Sequence, residues 1–197
     1  MRHYRFQRFI YCPDASRYRG RILAMISSRI ESILLELGIA PDAIIARNLH
    51  ECAEASTLEV AETGADGREY LLIPAAAAAW KNMKAAALAD GVELNVVSAF
   101  RSVERQAEIV RRKLVAGVCV DDVLCVNAPP GFSEHHTGRA LDLTTPGSAV
   151  LEVEFEQTAA FAWLQSRAGE FGFDLSYPRG NSGGYQYEPW HWCYRVS

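Results

Sequence analysis

Two polar segments in the last third of the chain constrain its fold most strongly. The first, residues 133–142, reads SEHHTGRALD, and the second, residues 188–192, reads EPWHW. Between them they hold several histidines, an aspartate, and a glutamate three residues before the last histidine. A zinc hydrolase needs three protein ligands, an open fourth position for water and a nearby carboxylate that accepts a proton. The pattern therefore favours a fold in which the two segments meet around one zinc ion.

The length and composition indicate a folded globular protein. The chain has 197 residues, of which 49% are hydrophobic and 22% are charged, and such proportions make wholesale disorder untenable. The length suffices for one domain with a core, or for one domain with a helical appendage. The net charge of -4 gives no electrostatic reason to expect a nucleic-acid partner.

The start of the sequence bears on the compartment. Residues 1–11 carry basic side chains but no continuous apolar stretch and no small-residue cleavage site, so they do not fit a signal peptide. No apolar run elsewhere approaches the length that crosses a bilayer. On this basis we expect a cytoplasmic protein without a membrane span.

The cysteines favour neither a zinc ribbon nor a disulfide framework. Five thiols cannot pair completely, and no C-x-x-C spacing is present. We expect most of them to be small buried hydrophobic side chains, as free cysteines usually are. They are Cys12, Cys52, Cys119, Cys125 and Cys193.

Apolar periodicity and turn residues predict a mixture of helices and strands. Helices are expected at residues 18–37, 75–90 and 156–171, and from an N-cap at Ser102 to a stop at Gly117. Strands are expected at residues 69–73, 92–100, 139–144 and 186–196, with a loop at 118–132. Because the strands cluster in the C-terminal half, the pattern predicts an α+β fold with a small, mostly antiparallel sheet that carries the zinc site and is flanked by helices.

The histidines differ in what they can do. His135 and His136 are adjacent, and on an extended segment only one of them can face a shared metal. Asp142 lies seven residues after His135, so the chain must bend at Gly138 for the two side chains to meet. The isolated His3 and His50 are expected to be structural, because a single histidine is most often a surface or satisfied core residue.

The motifs together resemble a known family. The pattern S-x-H-x-x-G-x-A-x-D, followed about fifty residues later by E-P-W-H, is similar to that of the VanY-type D-alanyl-D-alanine carboxypeptidases. These are zinc peptidases related to VanX-type dipeptidases and to the hedgehog signalling domain. Residues 98–102, SAFRS, resemble the family's S-G-Y-R-S, with Ala99-Phe100 in place of Gly-Tyr. The resemblance covers about residues 70–197, whereas residues 1–65 resemble nothing we can name.

The resemblance implies roles for individual residues. The family's zinc ligands correspond to His135, Asp142 and His191, its catalytic base to Glu188, and its substrate-facing arginine to Arg101. Two further positions hold substrate in family members, and they correspond to Gln106 and Ser133. The implied division is an N-terminal extension, partly helical and of unknown function, at residues 1–69 and a zinc peptidase domain at 70–197.

The resemblance also implies an activity. It is zinc-dependent hydrolysis of the terminal D-Ala–D-Ala bond in peptidoglycan stem peptides or precursors, with a peptide ending in D-Ala as the partner. Alternatives on the same scaffold are a D-Ala–D-Ala dipeptidase, an L,D-carboxypeptidase and a phage-type endopeptidase. A hedgehog-like binding module with a structural zinc is disfavoured, because such a protein would have no chemical reason to keep Glu188, Arg101 and Ser133.

Overall fold

The computed structural model describes residues 26–195 and confirms the α+β class. Helices flank two small antiparallel sheets, one of two strands and one of four. Some sequence-based expectations lie outside the described residues, namely those for residues 1–11 and 18–25, His3, Cys12 and Val196.

Within residues 26–195, six α-helices form where the apolar spacing and capping residues allow them. Ser102 caps one of them as predicted, because its Oγ accepts a hydrogen bond from the backbone N–H of Arg105 at 3.1 Å. Three short 3₁₀ helices add to these at Glu134–Thr137, Val153–Gln157 and Ala168–Phe171. The α-helices are α1 (Ser28–Glu36), α2 (Pro41–Ala46), α3 (Pro74–Ala89), α4 (Val103–Val115), α5 (Val120–Val126) and α6 (Ala159–Arg167).

Two helical predictions were wrong in detail. The predicted loop at 118–132 contains α5, whose N-cap, Cys119, makes no side-chain capping hydrogen bond and so gives no start signal. The single helix predicted at 156–171 is divided, because Thr158 has an extended backbone and caps α6 by accepting from Phe161 N at 3.1 Å.

The strands build a hairpin and a separate four-stranded sheet. The hairpin joins β1 (Glu59–Thr63) to β2 (Glu69–Leu72). The larger sheet has the order β3-β4-β6-β5, with every neighbouring pair antiparallel. Its strands are β3 (Asn95–Ser98), β4 (Ala140–Thr144), β5 (Phe173–Leu175) and β6 (His191–Tyr194). The last strand is shorter than predicted, so Glu188 lies in the loop that leads into it.

Two hydrophobic cores stabilise the fold. The larger lies between the four-stranded sheet and helices α3 and α6, and its fully buried members include Trp80, Leu141, Leu143, Phe155 and Phe173. The second joins α1 and α2 to α4 and α5, through residues that include Ile30, Ile44, Val110, Val123 and Phe132. Helices that precede the predicted peptidase domain therefore share a core with helices inside it.

The segment before β1 is also tied to the loops of the predicted peptidase domain. The backbone N–H of Cys52 donates to Gly131 O at 2.7 Å, and that of Ala55 donates to His136 O at 2.8 Å. The predicted boundary between residues 69 and 70 lies within β2. The division of the chain into an N-terminal extension and a peptidase domain remains a prediction. Among residues 26–195, no helix is both long enough and apolar enough to span a membrane.

Candidate metal centre and substrate cleft

The pairing of β4 with β6 brings the two polar segments together. Asp142 on β4 lies directly opposite His191, the first residue of β6. His135 belongs to the 3₁₀ helix that precedes β4, and the chain reverses at Gly138, which has a left-handed φ of 64°. A Cβ at Gly138 would lie 2.8 Å from the side chain of Leu58, so both the turn and the packing require glycine.

Three buried side chains converge at this point with the donors that zinc prefers. Oδ2 of Asp142 lies 3.1 Å from Nε2 of His135, and Oδ1 lies 3.0 Å from Nδ1 of His191. One ligand atom from each residue can be chosen so that all three lie within 4.8 Å of one another. Two imidazoles and one carboxylate with an open side fit a catalytic zinc ion.

Each imidazole of the cluster is oriented by a second hydrogen bond. Nδ1 of His135 lies 2.7 Å from the carbonyl oxygen of Ala99, to which it donates, and this leaves Nε2 free as a ligand atom. Nε2 of His191 lies 3.0 Å from Oε2 of Glu134. Ligating histidines commonly donate to a carboxylate or carbonyl in this way, because the bond fixes the ring's tautomer and angle.

Glu134 is itself held in place, so it can fix the His191 ring firmly. Its Oε1 accepts from Nη1 of Arg195 at 2.9 Å, and its Oε2 also accepts from the hydroxyl of Ser176. Burial alone would raise the pKa of Glu134, but the hydrogen bond and charge of His191, the Ser176 hydroxyl and the charge of Arg195 together outweigh it and hold the pKa well below its usual range. The group is therefore an anion, which accepts hydrogen bonds only.

In the metal-free cluster, His135, Asp142 and His191 shift one another's pKa. Burial alone would raise the pKa of Asp142, but the neighbouring histidines hold it far below its ordinary value. Burial lowers the pKa of His135, which is therefore neutral. For His191 the hydrogen bonds to Asp142 and Glu134 overcome the effect of burial and raise the pKa to about 10. Without metal, His191 is thus the cation of the cluster.

His136 does not join the cluster and instead ties two loops together. It is fully buried, its Nδ1 donates to the carbonyl oxygen of Arg101 at 2.6 Å, and its Nε2 accepts from Gly131 N at 3.1 Å. Both nitrogens are used by protein partners, so the ring has none to offer a metal. The exposed His50 is likewise not a member of the cluster.

A cleft of about 360 Å³ opens over the cluster, and Glu188 lines it. Oε2 of Glu188 lies 3.9 Å from Nδ1 of His191, beyond hydrogen-bonding distance but adjacent to the proposed ligand atom. Burial raises the pKa of Glu188 to about 7. Ser133 also lines the cleft, as do the aromatic residues Tyr177, Tyr187 and Trp190.

Arg101 reaches the cluster from the loop that follows β3. Its Nη2 lies 3.8 Å from Oδ2 of Asp142, and its Nη1 donates to Oε1 of Gln106 at 2.7 Å. The amide nitrogen of Gln106 donates to Ala128 O at 2.7 Å. Gln106 therefore holds Arg101 in position. The resemblance also implies that Gln106 contacts substrate directly, and that role remains a prediction.

An aromatic column connects the cluster to the N-terminal helices. The Tyr177 ring lies 4.6 Å from that of His191, and the Tyr185 ring lies 4.7 Å from that of Tyr177. The guanidinium of Arg47, which follows α2, lies 4.1 Å from the Tyr185 ring. Arg47 also donates to Gly183 O at 2.7 Å and to the carbonyl of residue 124 at 2.8 Å.

Sequence reasoning assigned no role to Glu134, Arg47 or Tyr177. Glu134 could have been noticed, because it is a carboxylate inside the motif and next to a proposed ligand. Arg47 carried no such signal, since its partner Gly183 is 136 residues away in the chain. Its position depends on how α2 packs in the second core.

The described cysteines are free thiols, and burial disfavours the ionisation of Cys52, Cys125 and Cys193. Cys52, Cys119, Cys125 and Cys193 form no disulfide with one another. Burial raises the pKa of Cys52 to about 11 and that of Cys193 to about 12. Neither is a thiolate at neutral pH, so neither is suited to act as a nucleophile. Of these four, Cys193 is buried, Cys52 and Cys125 are half-buried and Cys119 is exposed, so the expectation that most of the cysteines are buried was wrong.

Together, the donor set, its open side and the cleft-facing carboxylate place this site in the class of zinc peptidases. Comparison with protein families gives the same result. Residues 69–197 match the family model of VanY, D-alanyl-D-alanine carboxypeptidase. The chain belongs to that family.

Individual relatives extend the comparison. YodJ of Bacillus subtilis (strain 168) is 37% identical over 130 residues, which are 60% of this chain and 44% of that protein. The LD-carboxypeptidase LdcB has a TM-score of 0.64 at 33% identity, covering 72% of this chain and 69% of that one. The D,D-pentapeptidase VanY of a VanB-type resistance cassette, solved with Zn(II), has a TM-score of 0.56 at 27% identity, covering 74% and 83%. The chain spans less than half the length of the curated relatives that it matches.

Proposed function

We propose that this chain is a zinc-dependent D,D-carboxypeptidase that hydrolyses the terminal D-Ala–D-Ala bond of peptidoglycan stem peptides or their precursors. One observation carries the proposal. The buried cluster of His135, Asp142 and His191 lines the same cleft as Glu188 and Arg101. This arrangement supplies ligands, a base and a cation to one bound peptide, which a purely structural zinc site would not need.

Glu188 is the general base and acid of the proposed reaction. Zinc, when bound to the three ligands, lowers the pKa of a coordinated water to about 7 and polarises the scissile carbonyl. Glu188 accepts the proton of the attacking water and then donates it to the amine that leaves. A pKa of about 7 suits a group that must both take and give a proton near neutral pH.

Arg101 supplies fixed positive charge beside the reacting carbonyl. Burial lowers the pKa of its guanidinium, yet an arginine remains charged in proteins. Gln106 accepts from Nη1, and Ser98 Oγ accepts from Nη2 at 3.2 Å, so the fork is held in one orientation. A preorganised cation of this kind stabilises the negative charge that develops on the carbonyl oxygen, or the terminal carboxylate of the substrate.

A free D-Ala carboxylate is the substrate feature that fits the cleft. Arg101 and Ser133 offer a cation and a hydroxyl on the cleft wall, and a desolvated carboxylate needs such partners. An L,D-carboxypeptidase is the second candidate, because LdcB is more similar to this chain than VanY is. The two activities differ in the chirality of the residue before the scissile bond.

The test compares three peptides with purified, zinc-loaded protein. Acetyl-Gln-D-Ala-D-Ala, its C-terminal amide and acetyl-Gln-D-Ala are supplied at equal concentration, and the released amine is measured, which is D-alanine for the two free acids and D-alaninamide for the amide. We expect kcat/KM for the first peptide to exceed that for the other two by on the order of tenfold or more, since each of the others lacks one recognised feature. Faster release from acetyl-Gln-D-Ala would identify an L,D-carboxypeptidase. Equal cleavage of the amide would indicate an endopeptidase, and activity unaffected by zinc removal would contradict the proposal.

A further inference from the structure

Lys113 places a second cation in the cleft, away from the metal cluster. It lies on α4 seven residues after Gln106, and both residues line the cleft. Seven residues are two helical turns, so the two positions are separated by roughly 10 Å along the helix axis. Gln106 holds Arg101 beside the cluster, and Lys113 therefore marks a more distant part of the cleft wall.

The ammonium group of Lys113 has no carboxylate partner among the described residues. Its nitrogen donates to the amide oxygen of Asn127, which is neutral and also lines the cleft. The other two lysines pair with carboxylates, Lys81 with Glu59 at 3.8 Å and Lys84 with Glu62 at 2.8 Å. Desolvation of Lys113 lowers its pKa, and no neighbouring carboxylate offsets this effect. An anion entering the cleft would supply the missing partner.

We infer that Lys113 and Asn127 form a subsite for a carboxylate on the acyl side of the scissile bond. This inference rests on the proposed function. A carboxypeptidase has a single residue on the leaving side, and that residue is too short to cover the two helical turns that separate Lys113 from Gln106. An extended peptide advances about 3.3–3.6 Å per residue. The side chain of the residue that precedes D-Ala-D-Ala can therefore reach Lys113.

The ligand class is a peptide whose residue before D-Ala-D-Ala carries a side-chain carboxylate. Lys113 contributes the charge, and the Asn127 amide nitrogen is available to donate a second hydrogen bond to such a group. The subsite thus selects among stem peptides by the charge of this one residue. It does not take part in bond cleavage, so its effect is expected in KM rather than in kcat.

The experiment varies the charge on both sides of the contact. Acetyl-Glu-D-Ala-D-Ala, acetyl-Gln-D-Ala-D-Ala and acetyl-Lys-D-Ala-D-Ala are hydrolysed by zinc-loaded wild-type, Lys113→Met, Lys113→Glu and Lys113→Arg proteins. We expect wild type to favour the Glu peptide over the Gln peptide by about fivefold in kcat/KM, the scale of a partly exposed ion pair. Lys113→Met should abolish this preference, Lys113→Glu should favour the Lys peptide, and Lys113→Arg should restore the preference for Glu.

A matched control and a second readout separate this inference from the proposed function. Arg112→Met removes a neighbouring exposed cation that does not line the cleft, and it should leave the preference unchanged. Affinities of the same peptides for a Glu188→Gln protein, measured by calorimetry, test the subsite without hydrolysis. If no protein released D-alanine but the Glu peptide still bound more tightly through Lys113, the proposed carboxypeptidase activity would be contradicted and the proposed subsite would be supported. Equal affinity for the Glu and Gln peptides, or a preference that persists in Lys113→Met, would overturn the subsite.

Discussion

Nε2 of His191 donates to Oε2 of Glu134 at 3.0 Å, and this directs Nδ1 of the same ring towards Asp142. Glu134 and Glu188 therefore serve His191 differently. Glu134 accepts from the ring nitrogen that faces away from the cleft, whereas Glu188 lies 3.9 Å from the nitrogen that faces the other proposed ligands. In the proposed reaction, the first carboxylate orients a zinc ligand and the second is free to meet substrate.

Replacing Glu134 should weaken zinc binding without removing a ligand. In Glu134→Ala the His191 ring loses its anchoring acceptor, and we expect the zinc Kd to rise by about 10–100-fold. Competition with a chromophoric chelator measures this directly. Glu152→Gln, which alters a cleft carboxylate outside the cluster, is the control and should bind zinc as wild type does. An unchanged Kd in Glu134→Ala would show that the hydrogen bond does not orient the ligand.

Replacing Glu188 should separate catalysis from metal binding. Glu188→Gln keeps the size of the side chain but cannot accept a proton, so kcat should fall on the order of a hundredfold or more. Zinc content and thermal stability should remain at wild-type values, because Glu188 is not among the clustered donors. Turnover near the wild-type rate would mean that another group is the base.

Zinc binding should release a proton from the cluster. Without metal, hydrogen bonds to Asp142 and Glu134 raise the pKa of His191 to about 10, so its Nδ1 is protonated at pH 8. Zinc takes the deprotonated nitrogen, which releases one proton, and a coordinated water with a pKa of about 7 releases most of a second at pH 8, so between one and two protons should leave for each ion bound. Below the metal-free pKa, affinity should therefore fall as pH falls. Calorimetry at pH 8 in buffers of different ionisation enthalpy counts the protons, and a count of zero would contradict this description of the cluster.

Arg47 should stabilise the loop that leads to Glu188. In Arg47→Ala the carbonyls of residues 124 and 183 lose charged donors, and the Tyr185 ring loses the cation stacked on it. We expect a loss of about 1–3 kcal/mol in the free energy of unfolding, measured with urea. Arg112→Ala, which changes an exposed arginine, should cost less than about 0.5 kcal/mol. Equal effects of the two substitutions would show that Arg47 contributes nothing specific.

The sequence predicted best where the signal was local. The N-cap at Ser102, the strand β2 and helix α3 follow from capping residues, a turn and a proline, all within a few positions of the element. Helix α5 has no side-chain cap and only seven residues, so no local sequence pattern predicted it. The final strand was extended too far towards its start, because the sequence EPWHW does not reveal where ladder pairing begins.

The sequence was enough to predict which residues form the candidate site, but not how the fold positions them. The motif resemblance identified His135, Asp142 and His191, and the structure gathers those three side chains. The register that sets Asp142 opposite His191 is a property of the folded sheet. The hydrogen bond from Gln106 to Ala128 and the one from Arg47 to Gly183 depend on packing between elements far apart in sequence. Such contacts leave no local pattern to read.

The zinc content of ligand variants tests the central claim most directly. We expect elemental analysis to find about one zinc per chain in the wild-type protein and in His50→Gln, and sharply less in His135→Gln, Asp142→Asn and His191→Gln, because a site of three protein ligands loses most of its affinity with one of them. Circular dichroism verifies that each variant is folded. Full zinc occupancy in folded His191→Gln would contradict the assignment of the metal centre.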